Sequence, residues 1–208
     1  MEDKIIFSDI LKTAWRALLS QFWLLVGLSI GFIIIFSLLL IYAAPAKGES
    51  VSIGGLIVSL ISLLFLCLFL MGFLKNCFQT LEGDEPQFSA YGQVAGRLFS
   101  FLIAYIVLCI IVIIGLALLV VPGIYLLLRL QFFYAFMVDE NAGIIESFKK
   151  SWDITKGQAL KLFLLMLIML LVSILGMMTL IVGQFFTAPL TALMYTCAYR
   201  KLTSPTAQ

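Results

Sequence analysis

No histidine occurs anywhere in the 208 residues, and charged side chains make up only 12% of them. The first absence removes the usual activator of a serine or cysteine nucleophile, so only lysine or a carboxylate is left to serve as a base. The second sets the chain apart from soluble domains, which carry roughly 25% charged residues. Net charge is also scarce: +2 is too small to imply nucleic acid, and the bases stand in short groups beside apolar runs. A lipid headgroup is their natural counter-charge. The four cysteines, Cys67, Cys77, Cys109 and Cys197, lack the paired spacing of a zinc site and read as small apolar packing residues. No small-residue cleavage site precedes the first long apolar run, so no removable signal peptide is expected.

What is present is hydrocarbon. With 63% hydrophobic residues and a positive mean hydropathy, a water-soluble core of this length cannot hide the apolar surface, so lipid is the expected solvent for most of the chain. Residues 7–22 place Phe7, Ile10, Leu11, Ala14, Trp15, Leu18, Leu19 and Phe22 on one helical face, with Asp9, Lys12, Thr13 and Arg16 opposite. That pattern predicts an amphipathic helix lying in the headgroup layer. Residues 21–42 predict a first span and 53–74 a second, joined by a polar turn at 45–50. Residues 87–102 repeat the amphipathic pattern more weakly, with Phe88, Tyr91, Ala95, Leu98, Phe99 and Leu102 on one face.

Residues 98–138 hold a single charge, Arg129. As one helix this run would reach roughly 60 Å, twice the membrane core, so it must fold in two. Pro122 and Gly123 are the expected structural break, leaving a third span at 98–121 and a short fourth at 123–138. A second clear amphipathic segment follows at 144–156. Ile144, Ile145, Phe148, Trp152 and Thr155 lie on one side; Glu146, Lys149, Lys150, Asp153 and Lys156 lie on the other, with Glu146 and Lys150 at i, i+4. Residues 162–199 are again too long for one crossing. Gly183-Gln184 is the expected reversal there and Pro189 an expected kink.

The fold class expected is therefore all-α: a polytopic transmembrane bundle of six spans with cytoplasmic interfacial helices, forming one integral membrane domain over 1–208. The order of amphipathic segment, span, turn and span occurs three times, over 7–86, 87–142 and 143–202. This reads either as a threefold repeat of helical hairpins or as shared apolar composition that mimics one. With six spans, eleven bases fall on the side of the N-terminus (Lys4, Lys12, Arg16, Lys75, Arg97, Lys149, Lys150, Lys156, Lys161, Arg200 and Lys201) against Lys47 on the other. The positive-inside rule then puts both termini in the cytoplasm.

Pro122-Gly123-Ile124-Tyr125, then Arg129, then Val138-Asp139-Glu140, then the run from Glu146 through Ser151-Trp152-Asp153-Ile154-Thr155-Lys156-Gly157 is similar to a known signature. It resembles the bacterial membrane proteins grouped around the membrane domain of glycerophosphoryl diester phosphodiesterase, and related inner-membrane proteins of unknown function. The resemblance covers residues 87–202 and reaches the N-terminal hairpin only by architecture. It implies a bacterial cytoplasmic-membrane protein. It does not imply hydrolysis, because the phosphodiesterase barrel relies on histidines and is absent here.

Among individual residues, Arg129 carries the sharpest question, since a charge at bilayer depth costs about 2.5–3.5 kcal/mol on insertion scales. Its readings are contact with an anionic headgroup or substrate, or a structural role bonded to backbone carbonyls, Gln131, Gln184 or a tyrosine hydroxyl. Lys149, Lys150, Trp152 and Lys156 either contact anionic lipid or set topology and anchor the helix. Glu82, Asp84 and Glu85 read as a solvated loop, lacking the ligand spacing of a calcium site. Asp139 is placed to pair with a base of the next helix, and Gly27 and Gly31 form a GxxxG pattern that can bring two helices together. No catalytic residue, metal site or cofactor is expected. The function expected is that of a non-enzymatic accessory or membrane-organising protein contacting anionic phospholipid, a protein partner or a second copy. The alternative is a small transporter or lipid-handling protein with Arg129 in its pathway.

Overall fold

A computed structural model describes residues 6–45 and 52–204, with the side chains of 180–182 left aside. Residues 46–50 of the expected turn, and Lys4 and Lys47 from the count of bases, lie outside the described residues. The helices are α1 (Phe7–Ser20), α2 (Phe22–Ala43), α3 (Ile53–Glu82), α4 (Ser89–Ala95), α5 (Leu98–Leu118), α6 (Val120–Leu130), α7 (Phe133–Asp139), α8 (Ile144–Ile154), α9 (Ala159–Met178) and α10 (Leu180–Thr203). The described residues are all-helical, without strands. Five stretches among them are long and apolar enough to cross a membrane: α2, α3, α5, α6–α7 taken together, and α9. The sixth expected span corresponds to α10. At 24 residues it has the length, with Gln184, Thr187, Thr191 and Thr196 interrupting its apolar character.

The arrangement follows from which surfaces each helix can bury. A short helix, a long helix and a returning helix succeed one another three times, as α1–α2–α3, α4–α5–α6/α7 and α8–α9–α10. Each short helix lies on a returning helix of another group: α4 on α3, α8 on α6 and α7, and α1 on α10. The returning helices gather at the centre, and Phe78 of α3, Phe132 and Phe136 beside and within α7, and Tyr199 of α10 are fully buried together. The outgoing helices form the periphery. In the apolar part of α2 only 11% of residues are buried, against 50% for α6–α7. Large exposed side chains such as Ile34, Leu38, Ile113 and Leu171 thus face outward, as helices surrounded by hydrocarbon require. One buried cluster runs from Ile10 to Leu202, so the whole described chain shares a core.

Several boundaries differ from expectation, each for a packing reason. The second span continues beyond residue 74 to Glu82 and stops at Gly83, whose φ of 91° supplies the left-handed cap. The break expected at Pro122-Gly123 falls instead at Leu119, whose extended backbone (φ −164°, ψ 149°) closes α5 and opens α6. Pro122 sits in the first turn of α6, where N–H groups lack helical partners and its missing donor costs little. Gly123 serves close packing: a Cβ on it would lie 2.5 Å from Leu116 Cδ2, and one on Gly115 would lie 2.9 Å from Gly123 Cα. The reversal expected at Gly183-Gln184 falls at Thr179, and Gly183 sits in the first turn of α10 against Gly176 of α9. A Cβ on Gly27 or Gly31 would meet nothing within 4 Å among the described residues. The two glycines line an apolar groove of about 290 Å³ with Phe32, Phe65, Phe69 and Tyr91.

The amphipathic face of α1 is divided. Ile10, Ala14 and Leu18 are fully buried, whereas Leu11, Trp15 and Leu19 stay exposed. Its inner edge packs on protein, and its outer edge is left to the surroundings.

Candidate functional site

The fourth span breaks a second time, at Gln131-Phe132 between α6 and α7, and the polar residues of α8 are arranged around that break. A helix interrupted inside an apolar bundle leaves backbone groups that must find partners. Ser151 Oγ donates to the Arg129 carbonyl at 2.9 Å and accepts from the Phe132 N–H at 3.1 Å. Thr155 Oγ1 lies 3.1 Å from the same carbonyl, and Tyr195 Oη of α10 donates to the Gln131 carbonyl at 2.8 Å. The fully buried side chains of α8 and its C-cap are accordingly Ser147, Ser151 and Thr155, at i, i+4, i+8. That corrects the expected face in part: Thr155 is buried as expected and Ile144 and Phe148 pack against the core, whereas Ile145 and Trp152 do not join them. Ile145 is 72% exposed and Trp152 is exposed, because α8 docks through small hydroxyl residues: Ser151 and Thr155 satisfy the broken backbone, and Ser147 bonds back to the Ile144 carbonyl of its own helix.

Arg129 ends α6 with only 3% exposure. Its guanidinium carbon lies 4.2 Å from the Trp152 ring centroid and 5.8 Å from that of Tyr125, two rings set edge to face. Neither Gln131 nor Gln184 holds it: the Gln131 amide donates to the Leu128 carbonyl. Aromatic faces supply most of its electrostatic satisfaction, and its Nε is buried without a hydrogen-bond partner.

The three lysines of α8 and the turn after it, Lys149, Lys150 and Lys156, separate into two kinds. Lys150 pairs at the surface with Glu140 at 2.8 Å and Glu146 at 2.7 Å, the latter the expected i, i+4 pair. Hydrogen bonds to Glu140 and then Glu146 push its pKa up to about 12. Glu146 in turn is held below its ordinary value, first by its bond to Lys150 and then by the Gly143 N–H that it caps. Lys149 and Lys156 stay exposed and make no ion pair among the described residues.

The polar ends of the three returning helices meet in one knot. Arg200 of α10 grips Asp139 of α7 through two bonds of 3.1 and 3.2 Å and also bonds Glu82 of α3. Its guanidinium carbon sits 4.8 Å from the Phe78 ring centroid, and Tyr199 Oη donates to Asp139 at 3.2 Å. Asp139 thus pairs with the last helix rather than the next one, where Glu140 takes Lys150, because α10 returns past the end of α7. Glu82 belongs to this knot and not to a free loop. Lys201 reaches Asp9 of α1 at 3.5 Å, and Arg97 donates to the Met137 carbonyl in the last turn of α7 at 3.4 Å and to the Ala142 carbonyl in the loop after it at 3.1 Å. Among the described residues no cluster of histidine, cysteine and carboxylates is grouped to hold a metal.

Sequence reasoning brought out Arg129, Trp152 and the lysines and put Thr155 on the buried side, but it missed Ser147 and Ser151 and the pairing roles of Arg97 and Arg200. The signal for the hydroxyl residues was available in their spacing, i, i+4, i+8 on the helix that follows a short span. A family model described as a domain of unknown function, DUF7847, matches residues 87–207, a region that holds Arg97, Arg129, Asp139, Ser151, Thr155 and Arg200. No curated protein and no solved structure matches the chain.

Proposed function

Since the chain belongs to the DUF7847 family of domains of unknown function, relatives assign it no activity, and we propose from its own chemistry that it is a non-enzymatic membrane-organising or accessory protein. In this reading it sits in a bacterial cytoplasmic membrane with both termini inside, and its short surface helices contact anionic phospholipid. The observation that carries it is the division among its basic residues. Arg97, Lys150, Arg200 and Lys201 are engaged internally with carboxylates or carbonyls. Lys12, Arg16, Lys149 and Lys156 are exposed, unpaired among the described residues, and set beside exposed Trp15, Leu19, Ile145 and Trp152. Such residues suit a headgroup layer, where each base near an anionic surface is worth about 1 kcal/mol. Positive charge concentrated at one end supports the cytoplasmic placement.

A second reading, a small transporter or lipid-handling protein using Arg129, draws on one observation: the buried Nε without an acceptor. Against it stands the cover of Trp152 and Tyr125 over the guanidinium. The accessory reading is tested by extracting the protein with its surrounding lipid in polymer discs and measuring lipid composition. An annulus enriched in anionic over zwitterionic lipid, with the enrichment reduced in K149Q/K156Q, is expected. Wild-type discs matching the bulk membrane would overturn it.

A further inference from the structure

Between α1 and α10 lies a hollow of about 390 Å³ lined by Leu11, Lys12, Trp15, Arg16 and Leu190. Its walls are apolar, Lys12 and Arg16 contributing their alkyl stems as amphipathic side chains do. These two cations stand at i, i+4 on α1, with Cβ atoms roughly 5–6 Å apart, a separation that a single phosphate can bridge. Both are exposed, and neither makes an ion pair among the described residues. The nearest carboxylate on the same helix, Asp9, is held by Lys201. Trp15 is fixed edge-on against Phe186 of α10 at 5.2 Å between centroids, and Leu190, 4% exposed, belongs to the core beneath.

We propose that this hollow is a discrete site for one anionic phospholipid, its phosphodiester held by Lys12 and Arg16 and an acyl chain laid over Leu11, Trp15 and Leu190. The guanidinium offers a planar pair of donors to phosphate and the ammonium a mobile point charge. The apolar lining selects the lipid over free phosphate: an inorganic ion satisfies the two cations but leaves the walls wet, whereas a diacyl lipid satisfies both. The size is that of a ligand pocket. The inference rests on the accessory reading above and sharpens it from a general surface preference to a single retained molecule.

The test is native mass spectrometry of the full chain in mild detergent, titrated with phosphatidylglycerol, phosphatidylcholine and inorganic phosphate, for wild type, K12Q/R16Q and L11W. Wild type is expected to retain one phosphatidylglycerol, without displacement by phosphate. Removing both charges weakens that binding roughly thirtyfold, at about a kilocalorie per base. L11W keeps both charges and fills the hollow from its exposed rim, so the same loss in that variant assigns binding to the cavity rather than to charge alone. Unchanged retention in both variants, or equal retention of phosphatidylcholine, overturns the site. Because the disc experiment reads the whole annulus, enrichment there together with no retained lipid here rejects this site alone. Absence of enrichment there together with retention here rejects the surface reading alone.

Discussion

Ser151 shows how much one hydroxyl can hold together. It is fully buried, donates to the Arg129 carbonyl and accepts from the Phe132 N–H, so it bridges the two ends of the gap between α6 and α7. Replacing it by alanine leaves a buried donor without its partner and removes one of the two hydroxyls at the carbonyl, at a cost of about 1–3 kcal/mol. The expected outcome for S151A is a lowered thermal midpoint in detergent, with S151T partly restoring it. A midpoint equal to wild type would show that the break is satisfied some other way. Arg129 is a different case. Its charge lies under the Trp152 and Tyr125 rings, so its place in the fold depends on aromatic cover rather than on a carboxylate.

At the level of helices, small residues decide where two elements can touch. Gly72 of α3 is covered by the ring of Tyr91 from α4, and a Cβ there would collide with that ring, whereas a Cβ on Gly27 or Gly31 of α2 would meet no other side chain or helix within 4 Å among the described residues. G72A is therefore expected to displace α4 and destabilise by about 1–3 kcal/mol, the usual range for overpacking. G27A and G31A are expected to be neutral or slightly stabilising, since alanine favours a helix over glycine by roughly 0.5–1 kcal/mol. Thermal unfolding of the three variants in one detergent checks the contrast. A large loss in G27A or G31A would mean that another helix occupies the groove. Glycine spacing on its own could not separate these cases: Gly27 and Gly31 match the familiar motif, while Gly72, which no motif marks, makes the contact.

Across the whole molecule, the three returning helices meet at the centre and their polar ends are joined by Arg200 between Glu82 and Asp139. Lys201 beside Asp9 brings the start of α1 and the end of α10 to the same end of the bundle. Tags on the two termini are accordingly expected to share one fate, and the proposed cytoplasmic placement makes it protection from added protease in right-side-out vesicles and cleavage in inverted ones. Cleavage of only one tag in either preparation would be incompatible with this arrangement. R200K, which keeps the charge but loses the planar fork, is the variant that probes the knot itself.

The sequence alone determined the medium, the helical class, the existence of the spans and the short surface helices between them. These follow from composition and from periodicities of 3.6, which are local properties of the chain. It also pointed to Arg129, because a lone charge in an apolar run is visible without coordinates. Only the tertiary structure decided where the reversals fall and which face of α8 is buried. Leu119 and Thr179 became the turns because Gly115 against Gly123, and Gly176 against Gly183, allow the returning helices to lie close, and proline fits the first helical turn as readily as a break. Ser151 and Thr155 became interior because backbone opened at Gln131-Phe132 needed, in bonds that reach 19 to 26 residues back along the chain, donors and acceptors that only a neighbouring helix could bring.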